Sequence, residues 1–133
     1  MPLHANMKIL IIDDMATMRK VIKNMLSQMG FKNILEADDG RSALPLIKSA
    51  HEANEPFEFI LSDWNMPGMN GLDLLKCLRL SEEFKDLPFL MITAESEQSS
   101  VVVAVKSGVN SFIVKPFSAQ ILKEKIDRIF NKK

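Results

Sequence analysis

The chain has 133 residues, enough for one compact domain around a single core and too few for two. Hydrophobic residues make up 47% and charged residues 26%, and 17 basic side chains balance 17 acidic ones, so no global field draws the chain to nucleic acid or an anionic membrane. No apolar run approaches the roughly 18 residues of a membrane helix, and Cys77, the single cysteine, excludes an intramolecular disulfide or a cysteine metal cage.

Residues 1–6 lack the charged and apolar zones of a signal peptide, which makes a cytoplasmic domain the expectation. The first apolar run, 8–12, is followed by Met15, Met18, Ile22, Met25 and Met29 at helical spacing, with Gly30 as a stop. The second run, 33–36, leads into a helical segment at 40–50. Pro45 inside it removes a backbone donor unless that helix starts late. The third run, 59–62, precedes a helix that Asn70 can cap, with Leu72, Leu75 and Leu78 on its inner face and Asp73 in its first turn.

After the fourth run, 89–92, the string Val101-Val102-Val103-Ala104-Val105 reads as strand by propensity. Its place between Glu97 and Gly108, and the need for a crossover, make it a helix. Valine is a weak helix former, so this helix is expected to be among the more labile, with at least half of its valines packed in the core. The fifth run, 111–114, is followed by a helix capped by Ser118, with Leu122, Ile126 and Ile129 inward. Most runs are continuously apolar, as strands buried on both faces are. The fold class is therefore α/β: a (βα)5 doubly wound, five-stranded parallel sheet with helices on both faces. Its strand order, 2-1-3-4-5, is adopted from flavodoxin-like folds.

The runs end in Asp13-Asp14, Asp63, Thr93 and Lys115. In a parallel sheet these ends share one edge, and ligands bind there at the switch point between the first and third strands. Three carboxylates gathered there repel: at an effective dielectric near 20, each ionised pair about 4 Å apart costs roughly 4 kcal/mol. Either a proton is retained or a hard cation binds, and an oxygen-only donor set suits Mg2+. Capping of the first helix is the alternative use for Asp13 and Asp14. Asp63 is the candidate nucleophile, since a carboxylate can form an acyl phosphate. Thr93 offers a hydroxyl one strand over. Lys115 lies two strands away, roughly 9.5 Å, a gap that only a long cationic stem can largely span.

Asp13-Asp14, Asp63-Trp64-Asn65-Met66-Pro67, Gly71-Leu72, Thr93-Ala94-Glu95 and Lys115-Pro116-Phe117 together resemble the receiver domain of two-component response regulators, and most of all its single-domain chemotaxis branch. The resemblance runs over nearly the whole chain and divides it into an N-terminal extension, 1–6, a receiver domain, 7–131, and a tail, 132–133. It implies transfer of a phosphoryl group from a phosphohistidine of a sensor histidine kinase to Asp63, with Mg2+ required. Asp14 and Asp63 would be direct metal ligands, Asn65 would add its backbone carbonyl, and Asp13 would act largely through water. Thr93 and Lys115 would hold phosphoryl oxygens, and a cis peptide is expected at Lys115-Pro116. Asn65 and Glu95 match positions that tune dephosphorylation. Thr93 would couple to Phe112, where the chemotaxis branch has a tyrosine; phenylalanine can turn inward but lacks the hydroxyl.

With the receiver ending near Phe130, output is expected through a protein contact rather than through an attached effector or an independent enzymatic activity. The expected surface comprises Gln98, Val101, Val105, Phe112, Lys125 and Arg128. Its partner would be a flagellar motor switch protein or another phosphorylation-selective protein, with a phosphatase as a further partner, the chain itself being a monomer. His4 and His51 read as surface residues and Cys77 as an inert thiol. The turn 36–40 matches a receiver turn and equally an acidic loop. Rival readings are a receiver acting as phosphate sink or relay outside chemotaxis, an independent aspartyl phosphatase, and a flavodoxin. The phosphatase class places Asp-x-Asp after the first strand, unlike the adjacent pair here. The flavodoxin needs a hydroxyl-rich loop where 13–17 is acidic.

Overall fold

The computed structural model describes residues 5–64, 66, 68–94 and 98–130, with side chains omitted for 98–101. Five strands and five helices alternate: β1 (Ile9–Ile12), α1 (Ala16–Gln28), β2 (Ile34–Ala37), α2 (Gly40–Glu52), β3 (Phe59–Asp63), α3 (Gly71–Arg79), β4 (Phe89–Thr93), α4 (Gln98–Lys106), β5 (Ser111–Val114) and α5 (Ala119–Phe130). All strand pairs are parallel, in the order β2-β1-β3-β4-β5. The expected fold class and strand order hold.

Because successive side chains point to opposite faces, each central strand feeds two cores. Leu10, Ile12, Ile60 and Met91 pack with Ala43 and Ile47 of α2 and with Leu74, Leu75 and Leu78 of α3. Ile9, Ile11, Leu61 and Ile92 pack on the other face with Ile22 and Leu26 of α1 and with Leu122, Ile126 and Ile129 of α5. Burial of one such aliphatic side chain is worth about 1.5–3 kcal/mol. The two apolar layers therefore hold the sheet edge rigidly enough to carry a site.

Several boundaries differ from expectation in ways that matter. β3 and β4 each run one residue further, so Asp63 and Thr93 are the last residues of their strands rather than the first of a loop. Met15 lies outside α1 and is 58% exposed, while Leu26 takes the buried place beside Ile22. α2 does not start late. The Ser42 amide donates to Asp39 Oδ1 at 2.8 Å and the Asp39 amide to Ser42 Oγ at 3.3 Å, a reciprocal cap that starts the helix at Gly40. Pro45 thus sits inside the helix, on its exposed side. The turn at 36–40 therefore serves as a helix start, and the Ser42 amide holds the Asp39 carboxyl below its ordinary value. Asn70 and Ser118 cap α3 and α5 as expected, accepting from the amides of Asp73 and Ile121.

The valines of α4 depart most from the sequence reading. Val102, Val103 and Val105 are all exposed, and Ala104 is the buried side chain among the described residues of this helix. The helix rests on the sheet through a small contact and turns an apolar face outward.

Candidate functional site

The C-terminal ends of β1, β3, β4 and β5 converge as the strand register requires. Ile12 pairs with Ser62, Asp63 with Ile92, and Thr93 with Val114, which brings Asp13, Asp63, Thr93 and Lys115 to one edge. Asp13, Asp14 and Asp63 each offer a carboxylate oxygen, all within 4.8 Å of one another. Asp13 and Asp63 are buried and Asp14 is exposed, so the cup has two walls and an open lip.

Lys115 crosses the end of β4 to reach both buried carboxylates. Its Nζ lies 3.3 Å from Asp63 Oδ1 and 3.5 Å from Asp13 Oδ2. The Lys115 amide donates to the Thr93 carbonyl at 2.7 Å, and the Lys115-Pro116 peptide is cis. Thr93 is buried at the end of β4. The Trp64 amide donates to Asp63 Oδ1 at 2.9 Å, fixing the rotation of that carboxylate.

Burial raises the Asp63 carboxyl above its ordinary value, and the neighbouring Asp13 charge raises it further, against the opposing pull of Lys115. Asp13 Oδ2 is buried and accepts no hydrogen bond among the described residues. The Lys115 ammonium, 3.5 Å away and shared with Asp63, compensates part of its charge. A buried carboxylate oxygen without a donor, beside two more carboxylates, suits a small hard cation ligated by oxygen. The donor set therefore fits Mg2+.

Of the remaining sequence-derived residues, Asn65 and Glu95 lie outside the described residues, as do the side chains of Gln98 and Val101. Phe112 is half-buried on β5 against the α2–α3 core, and the Lys125 ammonium lies 5.2 Å from its ring centroid. Val105 and Arg128 are exposed. His51 is exposed and stacks edge-on against Phe84, in keeping with a surface role. Cys77 is exposed although its neighbours on the helix are buried leucines.

Three contributors escaped the sequence reading or were valued too low. A Cβ on Gly71 would overlap the Asp63 carbonyl oxygen and crowd Met91 Sδ, so a bare backbone is required behind the nucleophile. Arg19 and Glu36, on α1 and β2, meet behind Asp13. No local motif marks Arg19, and the 36–40 turn that Glu36 opens does not indicate their meeting; only the register placing Glu36 beside Ile11 would have pointed there.

Comparison with known proteins agrees with the geometry. The family described as response regulator receiver domain matches residues 9–127. The chemotaxis protein CheY-3 of Vibrio cholerae is 54% identical over 130 residues, covering 98% of this chain and 96% of that protein. The chemotaxis protein CheY of Pseudomonas aeruginosa is 52% identical over 126 residues, covering 95% and 98%. Among solved structures, Vibrio cholerae CheY4 superposes with a TM-score of 0.80 at 31% identity, over 94% of this chain and 99% of that one. The chain matched in a CheX-CheY-BeF3-Mg+2 complex from Borrelia burgdorferi gives a TM-score of 0.84 at 26% identity, over 93% and 89%.

Proposed function

The chain belongs to the response regulator receiver family, close to the CheY chemotaxis proteins, and from that premise we propose that it takes a phosphoryl group on Asp63 and signals through a protein contact. Residues 7–131 are read as the receiver, 1–6 as an extension and 132–133 as a tail. The observation that carries the reading is the reach of Lys115 across β4 to both buried carboxylates of the cup. Asp13, Asp14 and Asp63 would hold Mg2+, and the backbone carbonyl of Asn65 is proposed as a further ligand. Bound there, the ion would offset the carboxylate repulsion and the negative charge of the phosphoryl oxygens.

In the transfer, an oxygen of Asp63 attacks phosphorus and the bond from phosphorus to the donor histidine nitrogen breaks. Its electron pair remains on the imidazole, and Asp63 becomes an acyl phosphate. Burial keeps the Asp63 carboxyl above its ordinary value and hence more basic than a solvated one. Lys115 Nζ, 3.3 Å from Asp63 Oδ1, needs only a small swing to meet a phosphoryl oxygen. The Thr93 hydroxyl serves a second oxygen from the adjacent strand. Asn65 and Glu95 are assigned the tuning of dephosphorylation by resemblance alone.

Movement of Thr93 toward the phosphoryl group would let Phe112, on the neighbouring strand, turn inward from beneath Lys125. The face formed by α4, β5 and α5 would then change where Val105, Phe112, Lys125 and Arg128 are offered, with Gln98 and Val101 assigned to the same face. A partner that prefers one arrangement shifts the population by its differential affinity. The similarity to CheY proteins favours a chemotaxis histidine kinase as donor and a flagellar motor switch protein as target, with a phosphatase as a further partner, and a protein of the CheX kind is a candidate for complex formation. No helix among the described residues is long and apolar enough to cross a membrane, and a cytoplasmic place is proposed.

The test is to treat the protein with acetyl phosphate and Mg2+, trap the acyl phosphate by borohydride reduction and map the modified peptide. Modification at Asp63 that disappears with EDTA is expected. Modification elsewhere, or none, would overturn the reading.

A further inference from the structure

We propose that Arg19 and Glu36 act as a positioning pair for Asp13, setting the Mg2+ affinity of the cup from behind, although neither faces the ligand. The inference rests on the metal-dependent reading above. Asp13 is held at nearly every polar atom: its amide donates to the Ala37 carbonyl at 3.2 Å, its Oδ1 accepts from the Met15 amide at 2.9 Å, and its carbonyl oxygen accepts from Arg19 Nη1 at 2.6 Å. Only Oδ2 accepts no hydrogen bond among the described residues, and it is the atom that lies 3.5 Å from the Lys115 ammonium.

Arg19 is itself steered. Its Nε donates to Glu36 Oε1 at 2.9 Å, so one planar guanidinium grips the Asp13 backbone and the β2 carboxylate together. The Arg19 side chain is 18% exposed and Glu36 lies at the surface, so the contact is sheltered on the arginine side alone. Lys23 Nζ, 3.7 Å from Glu36 Oε2, holds the other side of that carboxylate. Support behind a ligand commonly governs metal affinity about as strongly as tens-fold changes. β2 contributes no ligand, yet through Glu36 it would help set the direction of Asp13 Oδ2.

The sign of the effect separates positioning from bare charge. Removing a cation near a divalent site should tighten metal binding if only long-range electrostatics operated. Loss of positioning predicts the opposite. The experiment is a Mg2+ titration followed by Trp64 emission and by calorimetry, with wild type, Arg19→Ala, Arg19→Lys and Asp13→Asn, each also melted in EDTA. We expect about 10-fold weaker Mg2+ binding for Arg19→Ala, and little recovery in Arg19→Lys, which keeps the charge but loses the fork. Unchanged or tighter binding in Arg19→Ala, with wild type binding and Asp13→Asn weakened, overturns the positioning role and leaves the metal site standing. If wild type binds no Mg2+, both fall. A lower melting temperature with unaltered Mg2+ affinity marks a purely structural arginine and also overturns the proposal.

Discussion

The Lys115 ammonium lies 3.3 Å from Asp63 Oδ1 although β4 separates the strands from which the two residues project. This cation offsets part of the carboxylate charge, and a bound divalent ion would share the carboxylates with it. Lys115→Ala is therefore expected to tighten Mg2+ binding on the order of 3- to 10-fold. The same change should weaken the response to beryllofluoride at least tenfold, because the fixed cation for the phosphoryl oxygens is gone. Paired titrations of wild type and variant check both signs.

Asp63 supplies a pH prediction. Its folded-state pKa is raised by burial and by Asp13, so the native state holds the proton more tightly than the unfolded chain. Between the ordinary carboxyl value of 3.8 and that raised value, the Asp63 contribution to stability falls as pH rises. Urea unfolding in EDTA across this window should show that loss in wild type and lack it in Asp63→Asn. At neutral pH the variant should be more stable without metal by on the order of 1 kcal/mol, about 3–5 °C in melting temperature. Saturating Mg2+ should shrink or reverse the difference.

Gly71 backs the nucleophile so closely that a methyl group would meet the Asp63 carbonyl oxygen. Its amide also donates to the Trp64 carbonyl at 3.1 Å, tying the α3 start to the site loop. Gly71→Ala is expected to cost about 1–3 kcal/mol by overpacking and to weaken Mg2+ binding through displacement of Asp63. Equilibrium unfolding and the Trp64 titration read the two effects separately.

Pro45 is a defect that the capping of α2 tolerates. The reciprocal Asp39–Ser42 cap commits the helix at Gly40, and Pro45 then deprives an inner turn of a donor on the exposed face. Pro45→Ala should stabilise the fold by about 1–3 kcal/mol, without altering Mg2+ affinity. Destabilisation by the substitution would mean that the ring makes a contact worth more than the hydrogen bond it removes.

The legible part of this molecule is the part carried by uninterrupted apolar runs and by residues at strand ends. Asp13, Asp63, Thr93 and Lys115 each follow or close such a run, so their convergence could be read once the strand order was adopted. The last residues of β3 and β4 were harder, because Asp63 and Thr93 are polar and yet complete the ladder. Burial of valine in α4 was misjudged, since apolarity alone does not tell whether a helix turns its face to the sheet or away from it. Glu36 opens the acidic turn noted in the sequence, but its meeting with Arg19 depends on a tertiary register and on side-chain reach, neither of which leaves a local pattern.

The most direct measurement follows the emission of Trp64, whose amide is bonded to Asp63 Oδ1, through addition of Mg2+ and then beryllofluoride. The expected result is a saturable Mg2+ response followed by a second, Mg2+-dependent response to beryllofluoride that Asp63→Asn abolishes. A beryllofluoride response that persists in Asp63→Asn, or that needs no divalent ion in the wild type, would contradict the placing of phosphoryl acceptance at this aspartate.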